Sequence, residues 1–164
     1  MFVRGEKGLD KWCPRVYNSH IKSKEDTTMT HEVFYWDMDG VLADFHKAYA
    51  VNRATALRRD TMAALEPFQH NVDILNSLLV KGVTCYILTK AANADAMQGK
   101  IDWLAKYVPM MDAEHFICIT KGRKVDHMKE EGTLIDDDMA NIKQWIKAGH
   151  KAIHLETKGE QVKL

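Results

Sequence analysis

Asp37 and Asp39 stand two residues apart in the string WDMDG, directly after the apolar run Val33-Phe34-Tyr35-Trp36. Polar groups follow three further apolar runs in the same way. Thr89 and Lys90 come after Val83–Leu88, and Thr120, Lys121 and Lys124 come after Phe116–Ile119. Asp136, Asp137 and Asp138 come after Thr133-Leu134-Ile135. Together these are the groups that phosphoryl transfer through a covalent intermediate requires. A carboxylate attacks phosphorus when cations screen the repulsion between the two anions. Hard carboxylate oxygens from two chain segments suit Mg²⁺, which takes one or two protein carboxylates beside the substrate phosphate. A hydroxyl and a lysine hold the remaining phosphate oxygens, and a second carboxylate serves as general acid and base.

These groups meet only if the runs that precede them are neighbouring strands. The segments between the runs have helical spacing. Asp44 to Arg59 reads as a helix with Phe45, Ala48, Tyr49 and Asn52 near one face, and Pro67 breaks the pattern. Val72, Leu75, Leu78 and Leu79 lead to Gly82 as a C-terminal cap. Asn93 to Val108 carries Met97, Ile101, Leu104, Ala105 and Val108 on one stripe and stops at Pro109. A short polar helix is expected over 124–130. Met139 to Ala148 turns Ile142, Trp145 and Ile146 inward, and Ala152 to Leu155 forms a fifth strand. Strands alternating with helices mean an α/β fold, with a parallel sheet covered on both faces. Its ligand site lies beyond the carboxyl ends of the strands, at a switch point.

Composition sets the outer bounds. The chain has 164 residues, 46% of them hydrophobic and 28% charged, which is one globular domain and not a disordered or fibrous chain. Lys plus Arg and Asp plus Glu are 23 each, so no net charge favours wrapping nucleic acid. No apolar run approaches the length of a membrane span, and MFVRGEKGLDKW lacks an apolar signal core, so a cytoplasmic location is expected. Cys13, Cys85 and Cys118 form no CxxC pair, which gives neither a zinc site nor a disulfide framework. Residues 1–30 read as an N-terminal extension, with Met29 standing just before the first strand, and residues 31–164 as the folded domain.

Several polar residues have simpler readings. Asp44 and Asp138 each precede a helix and are expected as its N-cap. Trp36, Trp103 and Trp145 belong to apolar faces. Of the eight histidines, His46 alone is close to the first motif, and the rest read as surface groups. The absence of GxxxxGK[ST] excludes a P-loop kinase.

The string DMDGVLADF, with a Thr after the second strand, a Lys after the third and LIDD after the fourth, resembles the haloacid dehalogenase-like hydrolases. Within them it is most similar to the 5'(3')-deoxyribonucleotidases, over residues 32–155. The resemblance implies a three-layer, Rossmann-like parallel sheet and Mg²⁺-dependent hydrolysis of deoxynucleoside 5'-monophosphates. It makes Asp37 the nucleophile that forms an aspartyl-phosphate. Asp39 protonates the leaving oxygen and then activates water, and its backbone carbonyl also ligates the metal. Thr89 binds phosphate, with Lys90 and Lys121 beside it. Lys124 is the motif lysine, and Lys121 is its rival. Asp136 and Asp137 complete the metal site with Asp37, Asp137 being the direct ligand. Phe45 lines the base pocket.

One departure bears on the substrate. Only the stretch from 45 to 67 is free to form a helical cap, and its aromatic content is Tyr49 with little else. So small a cap leaves the site open, or covered by a second copy of the chain in a homodimer or by residues 1–30. Another phosphate ester, such as a sugar phosphate or a nucleic acid end, is the alternative substrate. A non-catalytic binding module that keeps the fold is a further alternative, and it predicts damage to a motif residue where this chain has none.

Overall fold

The computed structural model describes residues 32–164. The expected extension at residues 1–30, with Cys13 and Met29, lies outside the described residues. Four residues of β-branched and aromatic character form β1 (Val33–Trp36), which pairs in parallel with β2 (Thr84–Lys90) and β4 (Thr133–Asp136). β3 (Phe116–Ile119) extends the sheet beyond β2, and β5 (Ala152–His154) extends it beyond β4. The order is β3-β2-β1-β4-β5, all parallel. The chain runs outward from β1 to β3 and then returns to β4, so the switch point lies between β1 and β4. Their carboxyl ends are tied there by the Asp37 N–H donating to the Ile135 carbonyl at 2.9 Å.

Both faces of the sheet are covered. Phe34, Trp36, Ile87 and Ile135 pack against α3 (Gln69–Val80) and α4 (Ala94–Tyr107) on one side. Val33, Tyr35, Leu88 and Leu134 pack against α5 (Met139–Lys147) on the other. Two covered faces explain why β1 is a continuous apolar run rather than an alternating one. Trp36, Trp103 and Trp145 have no exposed surface, as expected of core groups.

The segment after β1 departs from its expected form. In place of one helix from 44 to 59, α1 (Phe45–Val51) ends at Asn52, and α2 (Arg59–Ala63) follows a run of turns. The Asn52 side chain accepts a hydrogen bond from the Ala54 N–H at 3.0 Å, offering the backbone a local alternative to the helix. In α4 the buried stripe is Ala96, Gly99, Lys100, Trp103 and Leu104. Met97 and Ile101, expected inside, are exposed, as is Ile146 on α5. Gly99 makes the α4 face fit against α2, because a Cβ there would come within 2.6 Å of the Arg59 carbonyl oxygen. The polar helix expected over 124–130 is a single 3₁₀ turn at Lys124–His127.

Candidate active site

The loop that leaves β1 carries Asp37 into a cleft of about 480 Å³ at the carboxyl edge of the sheet. Gly40 makes that loop possible. Its φ of +89° suits glycine, and a Cβ there would sit 2.3 Å from Asp137 Oδ2. The loop after β4 enters from the opposite side and brings Asp136 and Asp137. One carboxylate oxygen from each of Asp37, Asp136 and Asp137 lies within 4.8 Å of the others.

Lys124 joins two of these acids. Its ammonium, 2% exposed, donates to Asp37 Oδ1 and to Asp136 Oδ2, the latter at 2.7 Å. Burial alone would lower its pKa, but the charges of Asp37 and Asp136 outweigh that and hold it above the usual value. Asp136 has no exposed surface, and its oxygens also accept from the Asp138 N–H at 2.8 Å and the Asn141 amide at 3.0 Å. Burial and the neighbouring Asp37 raise its carboxyl to about 6, against the opposing pull of Lys124. Asp137 is raised by burial and by Asp37, and lowered in part by Lys158 and His46.

Asp39 faces a different partner. Its Oδ2 accepts from Lys100 Nζ at 2.7 Å, and the same ammonium donates to Thr89 Oγ1 at 2.8 Å. Its other oxygen, Oδ1, is buried with no hydrogen-bond partner. Burial raises the Asp39 carboxyl despite Lys100.

The expected residues thus divide. Asp37, Asp39, Phe45, Lys90, Lys124, Asp136 and Asp137 all line the cleft. Lys90 is exposed at the rim, where its ammonium lies 3.4 Å from Asn141 Oδ1. Thr89 is fully buried, and its hydroxyl oxygen accepts from Lys100 while its O–H remains free to donate. Lys121 stands apart from the cleft. It is exposed and does not line the cleft, because the chain turns at Gly122 and carries Lys124 inward instead. The Asp39 carboxylate does not join the metal-binding trio. Asp44 and Asp138 are N-caps, accepting from the Lys47 and Ala140 N–H groups.

Three residues of the site, Lys100, Asn141 and Lys158, were not anticipated from sequence, and His46 was noted only for its nearness to the first motif. Lys100 hides on a helix face that its charge made look polar. Asn141 follows LIDD by one helical turn, a spacing that could have suggested it. His46 and Lys158 flank Asp137, with His46 Nε2 at 3.8 Å and Lys158 Nζ at 3.7 Å from Oδ2. Lys158 arrives through the C-terminal segment, where the Gly159 N–H donates to the Gly40 carbonyl at 2.8 Å.

The donor set suits Mg²⁺. Three hard carboxylate oxygens converge from two loops, and no histidine or cysteine joins the trio. Since both Asp136 oxygens are already hydrogen-bonded, Asp37 and Asp137 are the acids with coordination left to give.

The profile of the family described as 5' nucleotidase, deoxy (pyrimidine), cytosolic type C protein matches residues 53–157. That span contains Thr89, Lys124, Asp136 and Asp137, and it begins after Asp37, Asp39 and Phe45. Among solved structures, a chain of the one titled "Structure of Pnkp1/Rnl/Hen1 complex" is similar at 17% identity with a TM-score of 0.55. The alignment covers 87% of this chain and 52% of that one, so this chain spans about half the length of that neighbour. Likeness at that identity speaks to the fold alone. The comparison with curated proteins found no match.

Proposed function

Because the chain belongs to the cytosolic type C 5' nucleotidase family and is thereby a phosphatase, we propose that it hydrolyses deoxynucleoside 5'-monophosphates in the cytosol. The observation that carries this reading is the Asp37–Lys124–Asp136 bridge, which joins the ends of β1 and β4 in the cleft that Asp137 also lines. Asp37 attacks phosphorus, the bond from phosphorus to the nucleoside oxygen breaks, and Asp39 gives that oxygen a proton. Water then attacks the aspartyl-phosphate and passes a proton to Asp39. The bond from phosphorus to Asp37 breaks, and its electron pair returns to the carboxylate. Lys124 neutralises the anions around the transferred group, and Lys90 meets the phosphate from the rim. Asp37, Asp137 and the Asp39 carbonyl would hold Mg²⁺, with Asp136 buttressing them. When bound, Mg²⁺ supplies positive charge against the phosphoryl oxygens.

Phe45 lines the cleft as the aromatic group for a base, its ring tilted by 36° against Tyr49 at a centroid distance of 5.6 Å. The segment from 45 to 67 acts as a minimal cap. Its shortness favours a second reading, a phosphatase for another ester such as a sugar phosphate or a nucleic acid end.

A phosphate-release screen over deoxynucleotides, ribonucleotides, sugar phosphates and phosphorylated oligonucleotides separates the two, with Mg²⁺ and with EDTA. Preference for a deoxynucleoside 5'-monophosphate supports the first reading. Release confined to the other esters supports the second, and release undiminished by EDTA removes the metal from both.

A further inference from the structure

Lys158 takes no part in the reaction as written, yet the chain is built to place it. The segment that carries it is tied down by Asn71 of α3, which has no exposed surface. The Asn71 amide donates to the Val41 carbonyl at 2.8 Å and to the Glu160 carbonyl at 2.9 Å. Its oxygen accepts from the Val162 N–H at 2.9 Å, so one buried side chain joins the loop after β1 to the C-terminal segment. The Glu160 N–H donates to the Thr157 carbonyl at 3.0 Å and closes a turn with Lys158 and Gly159 at its centre. Gly159, at φ +72°, supplies the backbone that the third position of such a turn requires.

The turn sets the Lys158 ammonium 3.7 Å from Asp137 Oδ2 and 2.9 Å from His46 Nδ1, in the cleft that Asp37 and Asp137 line. The lysine side chain is 48% exposed, and an ion pair that open contributes little to folding. Its consequence falls on Asp137, one of the two acids with coordination left to give. Lys124 is held between Asp37 and Asp136 and leaves Asp137 to be balanced from the rim. A cation arriving at Asp137 therefore meets a positive charge already in place. Even in water, unit charges a few ångström apart interact more strongly than thermal energy, and a divalent ion doubles the repulsion.

We propose that Lys158 is a resident counter-charge of Asp137 that lowers the affinity of the site for Mg²⁺. This role rests on the reading of Asp37 and Asp137 as the metal-holding acids, and goes beyond it by naming the group that sets the affinity. No proton moves; the ammonium acts by its charge alone.

Titration calorimetry of the metal-free protein with MgCl₂ alone, without substrate, reads the affinity directly. In Lys158→Met, Kd for Mg²⁺ should fall about three- to tenfold, the scale of removing one neighbouring charge near water. Lys158→Arg keeps the charge and should keep the wild-type value. Raising KCl to about 1 M shortens the screening length to about 3 Å and should bring wild type and Lys158→Met together. A tighter site is an outcome that loss of structure does not produce, since a disturbed loop would bind the ion more weakly. An unchanged or raised Kd in Lys158→Met, or a gain that Lys158→Arg shares, would overturn the proposal while Mg²⁺ binding by the wild type left the metal site standing. A wild-type chain that binds no Mg²⁺, or binds it equally after Asp137→Asn, would remove the metal site and the proposal with it.

Discussion

Among the described residues two buried lysines, Lys124 and Lys100, bridge groups that follow different strands, and their surroundings differ in charge. Lys124 sits between two carboxylates, Asp37 and Asp136, one of which has no exposed surface. Lys100 sits between one carboxylate and a neutral hydroxyl, and its carboxylate partner is 25% exposed along the side chain. The first cluster keeps net negative charge beside the switch point, which suits a nucleophile and a cation. The second is balanced, which suits a group that must gain and lose a proton. The cleft thus gives Asp37 and Asp39 each its own lysine.

The sharpest way to break this division is to remove the acids in turn. Asp37→Asn should abolish turnover of every phosphate ester while the far-UV spectrum stays native, since nothing else in the cleft replaces the nucleophile. Asp39→Asn should lose about 10²–10⁴-fold in kcat. Equal losses in the two variants would erase the difference between the clusters.

Stability probes the lysines directly. Lys124→Met leaves a fully buried carboxylate beside a second one and should cost about 3–5 kcal/mol in urea unfolding. Lys100→Met leaves an acid that is partly exposed, against a fully buried one for Lys124, and should cost about 1–3 kcal/mol. The reverse order would contradict the account of their surroundings.

A smaller effect follows from pH. The folded value for Asp136, about 6, lies above the unfolded value of about 3.9. The folded state therefore binds the extra proton, and the associated stability is full below the unfolded value and lost as pH rises through the folded one. Metal-free protein should melt at falling temperature across that window, and Asp136→Asn should flatten the slope. Smallest of all, Asp138→Ala removes the N-cap of α5 and should cost about 1 kcal/mol in thermal melting.

The two lysines also differ in how they read from sequence. Lys124 lies between two short apolar strands, so its distance from LIDD pointed to it, and it is buried in the cleft where Lys121 is exposed. β1 falls where its apolar, β-branched and aromatic run placed it, because a strand buried on both faces has no alternation to confuse. Lys100 was illegible. A cation at an inner helical position counts as polar in any periodicity, and the pattern rotated to the longer side chains of Met97 and Ile101, which are exposed. Gly99 and Ala96 added to the error, since small residues chosen for close packing contribute little apolar signal. The break at Asn52 was hidden because its side chain competes with the helix only once the turn has formed.

The claim on which the rest depends is that Asp37 carries the phosphoryl group in turn. Acid quenching of Asp39→Asn during turnover of p-nitrophenyl phosphate, whose leaving group departs without a proton, followed by peptide mass spectrometry, reads this directly. The account predicts one phosphoryl group on the peptide containing residue 37, absent from the Asp37→Asn, Asp39→Asn double variant. Phosphate release by an active enzyme with no phosphorylated peptide, or with the group on another residue, would contradict it.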